Sequence, residues 1–480
     1  MKLKNKNRTG LMVALFVAAS LFSACKKFLD IQLPTDTVTS ENVYISDLST
    51  ASVLSGILYT MLESGVINGD NIGLKAGLYA DELQNVKPQE SGNENFYKNG
   101  LSLNAVPGHW SSLYKQVYTC NLALEGINQS TADLSFRNQW LGEALFCRAY
   151  LYFQLVNLYG DVPLALVPDY RVTNKLSRSP SAQVYQQIIA DLKSAQSLLG
   201  DTYLNPASQL TTERGRPNRF SATALLARVY LYTGDWVKAE AEASSVISNT
   251  TDFQLAAPAS VFLTNSKETI WALVSSNKVS PGYTLFNKGM PAVVATIAAL
   301  SSGTPLSQVM VNAFEPGDVR FTAWVRTTST TTPAQTFYYP NKYKLATPGA
   351  ESFVALRLGE QYLIRAEARA QQNNMTGAVQ DLNLLRSRSR PTPALDVLPD
   401  YPASISQADC LVAIAQERRV ELFSEFGSRF FDLKRTGTID AVMTVAAPAK
   451  GGVWNSQRKI WPIPPDDIRI NPNLTQAPGY

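Results

Sequence analysis

Apolar positions recur at helical spacing through most of this chain, beginning with Val53, Leu54, Ile57, Leu58 and Met61 in residues 49–62. Residues 110–127 and 136–159 are predicted to form a helical pair. Leu141, Leu145, Arg148, Ala149, Tyr152, Val156 and Tyr159 fall on one side of its second member, which Gly160 and Pro163 end. Ser179 and Pro180 offer an N-cap and a first-turn proline to a helix that ends near Leu199. From Thr223 onward, Leu226, Ala227, Tyr230, Gly234, Trp236 and Ala239 match the spacing of a tetratricopeptide unit, in which small residues let two antiparallel helices approach. A looser copy runs through 366–378, with the same twelve-residue step from Ala366 to Ala378 as from Ala227 to Ala239. With the pair at 110–159 and a further helix from Ser406, about four helical hairpins are expected, above the ~3 a stable stack needs.

The helix from Ser406 carries its own problem. Its apolar stripe, Leu411, Ile414, Ala415, Leu422 and Phe423, also contains Arg418, seven residues after Leu411. A guanidinium on a buried face must be paired, and Glu421, Glu425 and Asp432 are the nearby carboxylates. Gly427 stands where a helix end favours positive φ, so that the chain turns into 429–435. Arg418, Glu421, Glu425, Arg429 and Asp432 are therefore expected to form a structural ion network.

Two stretches lack this periodicity. Residues 65–108 are rich in Gly and Asn, interrupted by Pro88 and Pro107, and contain Phe96 and Tyr97; they are predicted to be a long binding loop. Residues 250–350 are rich in Thr, Ser, Pro and Gly, with a strand-like piece at 269–274 and a Ser/Thr run at 327–332. They are expected to form an irregular, loop-rich subdomain with short strands, laid against the helical body.

Several phrases resemble the SusD/RagB family of Bacteroidetes surface lipoproteins. They are Glu417-Arg418 through Leu433 and Arg435, the exit Leu158-Tyr-Gly-Asp-Val-Pro-Leu164, Asp318-x-Arg320, Lys342-Tyr343, and the ending Trp461-Pro-Ile-Pro, Asn471-Pro-Asn-Leu-Thr-Gln, Pro478-Gly-Tyr480. Ala477 is the one departure within the last block. The resemblance runs in order from Cys25 to Tyr480. It implies a mostly α fold of stacked tetratricopeptide-like hairpins that partners a SusC-like TonB-dependent transporter and takes up a glycan or, in some members, a peptide.

The N-terminus changes the reading of charge. Lys2, Lys4, Lys6 and Arg8 precede an apolar run at 11–22, and Ser23 and Ala24 lead into Cys25. This is the pattern of a secretory signal peptide, with Cys25 expected as the lipidated residue of a bacterial lipoprotein. Without those four basic residues the 43 Lys and Arg fall level with the 39 Asp and Glu, which removes the electrostatic case for nucleic acid. The expected organisation is a signal peptide at 1–24, a lipidated tether at 25–40, an N-terminal helical region at 41–249, the insert at 250–350 and a C-terminal region at 351–480. The expected location is the outer membrane, facing outward.

Catalysis finds little support. The single histidine, His109, stands at a helix start and reads as a capping or surface residue, and there is no Gly-x-Ser-x-Gly elbow, zinc spacing or phosphate loop. Asp466 and Asp467 follow Pro465 as helix N-terminal acids. Cys120, Cys147 and Cys410 read as buried thiols, a Cys120–Cys147 bridge being the alternative. No enzyme activity, cofactor or metal is expected. Binding fits better, because sugars need exposed aromatic platforms edged by amide, carboxylate or guanidinium groups. Asp81, Tyr97, Tyr283, Trp324 and Tyr338 are the expected ligand contacts. A protein-binding tetratricopeptide scaffold is the competing class, and the long insert argues against it.

Overall fold

Periodicity becomes packing first in α1 (Asp47–Glu63), which buries Leu54, Ile57 and Met61. The computed structural model describes residues 43–63, 72–89, 92–104, 108–274, 278–392 and 397–480. Within them residues Tyr44–Tyr480 form one compact unit. The expected signal peptide and the whole of the expected tether, Cys25 included, lie outside the described residues.

Next comes α2 (Ile72–Tyr79), inside the stretch predicted as a loop. Every one of its residues is buried, Lys75 included, so it has no polar face and leaves no helical period in the sequence. Lys450 Nζ closes its C-terminal end by donating to the carbonyls of Leu78, Tyr79 and Ala80.

The stack proper follows as α3 (His109–Gln129), α4 (Arg137–Tyr159), α5 (Ser181–Leu198), α6 (Arg219–Thr233) and α7 (Trp236–Ser248), each packed on the next. Between α5 and α6 lies a small antiparallel pair, β1 (Tyr203–Leu204) and β2 (Leu210–Thr211). Ala227 and Ala239 are both fully buried where α6 crosses α7, as the twelve-residue step predicts. Gly160 at φ 70° ends α4. Ser179 does not cap α5: its backbone is paired with Val162, and Asp161 instead accepts from the N–H and hydroxyl of Ser181 at 2.8 and 2.7 Å.

The insert then leaves and returns through a neck. Outgoing β3 (Thr269–Leu273) pairs antiparallel with returning β7 (Phe353–Arg357). Between them β4 (Val293–Val294) lies parallel to β5 (Val325–Thr331), which forms a hairpin with β6 (Ala334–Pro340). The Ser/Thr run is thus a strand, rich in the β-branched residues that suit one: Thr328 and Thr330 turn inward and their hydroxyls reach the carbonyls of Pro291 and Pro333. The short α8 (Val319–Trp324) leads into β5.

Beyond the neck the stack resumes with α9 (Leu358–Gln371), which packs directly on α7, and continues through α10 (Met375–Arg388) and α11 (Gln407–Glu421). Ala366, Ala370 and Ala378 are fully buried with Leu363, Leu382 and Ile414 in the core these three helices share. Last come α12 (Ser428–Arg435), α13 (Ile439–Ala449) and α14 (Pro465–Ile470). The C-terminal phrase is a plug. Trp461 is fully buried, its ring 5.0 Å from Phe96 and 5.4 Å from His109. His109 is therefore an interior residue, 1% exposed, and neither a cap nor a surface group. Asp466 and Asp467 do lie in the first turn of α14. Cys120, Cys147 and Cys410 are free and buried.

Candidate functional site

The expected ligand residues divide into two groups. A ribbon joins the N-terminal loop to the insert: Gln84 N donates to Pro305 O at 2.8 Å, Val86 N to Gly303 O at 2.9 Å, and Leu83 bridges Leu306. Leu306 N in turn donates to Tyr338 O on β6, and Asn85 holds Glu94 at the start of the short helix Glu94–Tyr97. The ribbon thus connects the segment carrying Tyr97 with the sheet carrying Tyr338. Tyr283 comes from the helix Pro281–Phe286, which Asn287 fastens to the carbonyls of Pro340 and Tyr343. Tyr97, Tyr283 and Tyr338 are all partly exposed, so each keeps ring surface for a ligand. Lys450 lies 5.5 Å from the Tyr97 ring, and the Phe321 ring 5.9 Å from that of Tyr338. The exposed Asn95 adds an amide beside Tyr97, whereas Phe96 and Asn99 turn inward, Asn99 to bond Tyr79 O.

Asp81 and Trp324 belong elsewhere, and both expectations are corrected. Asp81 is 6% exposed and its carboxylate is occupied by Arg429, at 2.8 and 2.9 Å, and Arg419, at 3.0 Å. Burial pushes its pKa up, but the bonds from Arg429 and the charges of both arginines outweigh that and hold it below the usual value. Trp324 is fully buried: its Nε1 donates to Pro258 O at 2.7 Å and its ring faces Lys342 at 4.7 Å and Arg357 and Arg388 at 5.9 Å. A ring committed to three cations offers no face to sugar.

Those cations form the network expected around α11, built differently from the prediction. Arg418 is held by Asp432 alone of the three named carboxylates, at 2.8 and 3.1 Å, and Asp432 also takes Arg435 at 2.7 Å. Glu421 receives Arg320 at 2.8 Å, Arg357 at 2.6 Å and Arg388 at 2.6 Å, while Glu425 takes Arg357 and Lys342. Arg429 pairs with Asp81, as above. Glu417 and Glu421 therefore sit on the buried face of α11, and Ala415, expected inside, is exposed. Burial raises the Glu421 pKa, yet Arg388, Arg357 and Arg320 together pull it well below 4.5. Arg320 and Lys342 had stood out only as sequence landmarks; their spacing from α11 hid their role as its partners. Gly427 does adopt positive φ, 78°, between α11 and α12.

Among the described residues no group of His, Cys, Asp and Glu is arranged to hold a metal ion, and no helix is long and apolar enough to cross a membrane.

Residues 27–231 match the model of a SusD-like family described as starch-binding and associating with the outer membrane, and residues 324–480 match that of the SusD family. The SusD-like protein P2 of Formosa agariphila is 28% identical over 421 residues, covering 78% of this chain and 81% of that protein. A SusD superfamily protein from Bacteroides vulgatus superposes with a TM-score of 0.75 at 20% identity, over 90% of this chain and 99% of its own. A laminarin-binding SusD-like protein gives 0.71 at 22% identity, with the same coverage. Two matched models in chain order, spanning most of the sequence and the last part of the insert, together with the shared stack, place this chain in the SusD/RagB family.

Proposed function

We propose that this protein is a lipid-anchored outer-membrane receptor that captures a glycan outside the cell and delivers it to a SusC-like TonB-dependent barrel. Membership of a family of binding proteins carries the reading, and one structural relative bears the name of a laminarin binder. The partly exposed Tyr97, Tyr283 and Tyr338 support a glycan contact, since flat apolar ring faces beside amides suit the C–H faces and hydroxyls of sugars. Cys25 is the proposed lipidation site, and holding ligand over the barrel raises its local concentration without any reacting group.

The test is retardation of the secreted chain, with Cys25→Ser to omit the lipid, in gels containing neutral or acidic polysaccharides. One glycan is expected to slow it, and Tyr97→Ala or Tyr338→Ala to restore free migration with the melting temperature unchanged. Retention of peptides alone, or of nothing, would overturn the glycan reading. Co-purification of one large β-barrel from native membranes tests the partner, and recovery of soluble proteins only would point to a scaffold instead.

A further inference from the structure

A groove of about 650 Å³ opens on the helical side, between the turn joining α6 to α7, α9, and the α11–α12 corner. That volume lies within the range of small-molecule sites. Its lining does not include Tyr97, Tyr283 or Tyr338. Along α11 one strip faces it, Leu411 and Val412, then Ala415, then Arg418 and Arg419, at the spacing of successive turns. Val412 is 69% exposed, a large apolar side chain left uncovered at the groove. Trp236 lines the opposite wall and is partly exposed. The strip thus passes from hydrocarbon to guanidinium over seven residues, about 10 Å of helix.

The cationic end is unevenly matched: carboxylates hold Arg418, Arg429 and Arg435 firmly charged, while Arg419 is left short. Arg418, Arg419, Arg429 and Arg435 face Asp81, Asp432, Glu367 and Glu82, but the first three carboxylates carry all the ion pairs. Asp81 is already bonded twice by Arg429, leaving Arg419 a single bond to it. Nη1 of Arg418, a residue only 3% exposed, and Nε of Arg419 bond nothing among the described residues, and both side chains line the groove. Orphaned buried donors of charged groups are costly unless something supplies an acceptor. Burial, offset only partly by Asp81, also makes Arg419 release its proton more readily than usual, the mark of a cation short of counter-charge. Glu82, the fourth carboxylate, is pushed up to about 7 chiefly by burial and so gives that counter-charge only in part.

We propose that this groove binds an apolar carboxylate, its acid group on Arg418 and Arg419 and its hydrocarbon along Leu411, Val412, Ala415 and Trp236. Charge complementarity sets the sign, the exposed strip sets the tail, and its length sets the size. A free medium-chain acid and the C-terminus of a polypeptide share this chemistry.

Calorimetric titration of the Cys25→Ser chain tests it, with decanoate, decanol and decylammonium as one arm and the acetylated tripeptide Val-Leu-Phe as free acid and as amide as the other. Binding is expected from a carboxylate in at least one arm, at least about tenfold tighter than its neutral or cationic analogue. Arg419→Gln should weaken it by about tenfold or more. Ala415→Leu, at an exposed position where folding has little at stake, should weaken it by filling the groove. The arm that binds identifies the source. Equal affinity for decanol and decanoate, no binding at millimolar concentration in either arm, or full affinity in both variants would overturn the proposal. Its failure would leave the glycan reading untouched, since that reading is decided by the tyrosine variants.

Discussion

Glu82 and Glu421 are both buried carboxylates, and they titrate in opposite directions because their partners differ. Glu82 accepts one backbone N–H, from Ser424 at 3.0 Å, while burial and the neighbouring Asp81 raise it from 4.5 to about 7. The folded state therefore holds that proton more tightly than the unfolded chain, so its contribution to stability is complete below pH 4.5 and is lost as pH rises through 7. The span between 4.5 and about 7 corresponds to on the order of 3 kcal/mol. Glu82→Gln keeps an acceptor for Ser424 and is expected to raise the melting temperature at pH 8 while changing it little at pH 4. Glu421 and Asp432 run the other way. Held low by arginines, Asp432 at about 2, they contribute fully above the normal carboxylate range and lose that contribution as pH falls toward 2. Replacing Glu421 by Ala leaves Arg320, Arg357 and Arg388 short of counter-charge in the interior, and should cost about 3–5 kcal/mol in denaturant melts. At this scale the sequence was partly legible. The inward charge at Arg418 followed from helical spacing alone, but Trp324 read as a platform because exposure of a single aromatic depends on long-range neighbours, here Lys342, Arg357 and Arg388.

Among elements, α9 starts where the ion network passes, and Gly359 makes that passage possible. A Cβ there would lie 2.6 Å from Arg357 Nη1 and 2.8 Å from Glu268 Oε1, both fixed by charge-assisted bonds. Gly359→Ala is expected to destabilise by about 1–3 kcal/mol, although Ala favours a helix, and thermal melting reads that reversal of the ordinary propensity directly. Gly427 is constrained by conformation as well, with φ at 78° and Ala76 Cβ 3.0 Å from the position of an added Cβ. The boundary of α5 is set from outside its own chain segment, so Asp161→Ala should remove about 0.5–2 kcal/mol by uncapping it. A polar and an apolar face made α7 readable, while α4 and α6, buried along nearly their whole length, were readable from the Gly160 that ends the one and the twelve-residue step from Ala227 in the other. The wholly buried α2 and the Thr-rich β5 were not, since neither shows the period of its own structure until tertiary neighbours are added.

The whole molecule is organised by a helical stack that ignores its insert: α7 packs on α9 although a hundred residues separate them, and β3 with β7 closes the loop between. The charged core binds the insert to the stack, beside aromatic contacts such as Trp271 on Phe146 and Tyr150 and Phe314 on Phe423. Arg320 and Lys342 come from the insert, Arg357 and Arg388 from the returning stack, and all converge on Glu421 and Glu425 at the end of α11. Trp324 and Phe423 flank the Lys342 ammonium at 4.7 and 4.2 Å, so Trp324 is also tied to that core. This linkage predicts that stack and insert melt together. In scanning calorimetry the native chain should show one transition whose calorimetric and van't Hoff enthalpies agree. Lys342→Ala removes the ammonium from Glu425 and from both rings, and should split off an earlier transition while α3–α7 keep their own. Trp324→Ala should do the same with a larger loss, about 3–5 kcal/mol, where Tyr97→Ala and Tyr338→Ala leave the single transition in place. Two transitions in the native chain would mean that the insert is stabilised by its own sheet, with the ion network contributing alignment alone. A single transition in the native chain and two in Lys342→Ala would establish Glu421 and Glu425 as the joint through which the insert, with Tyr283 and Tyr338, is held against the helical body.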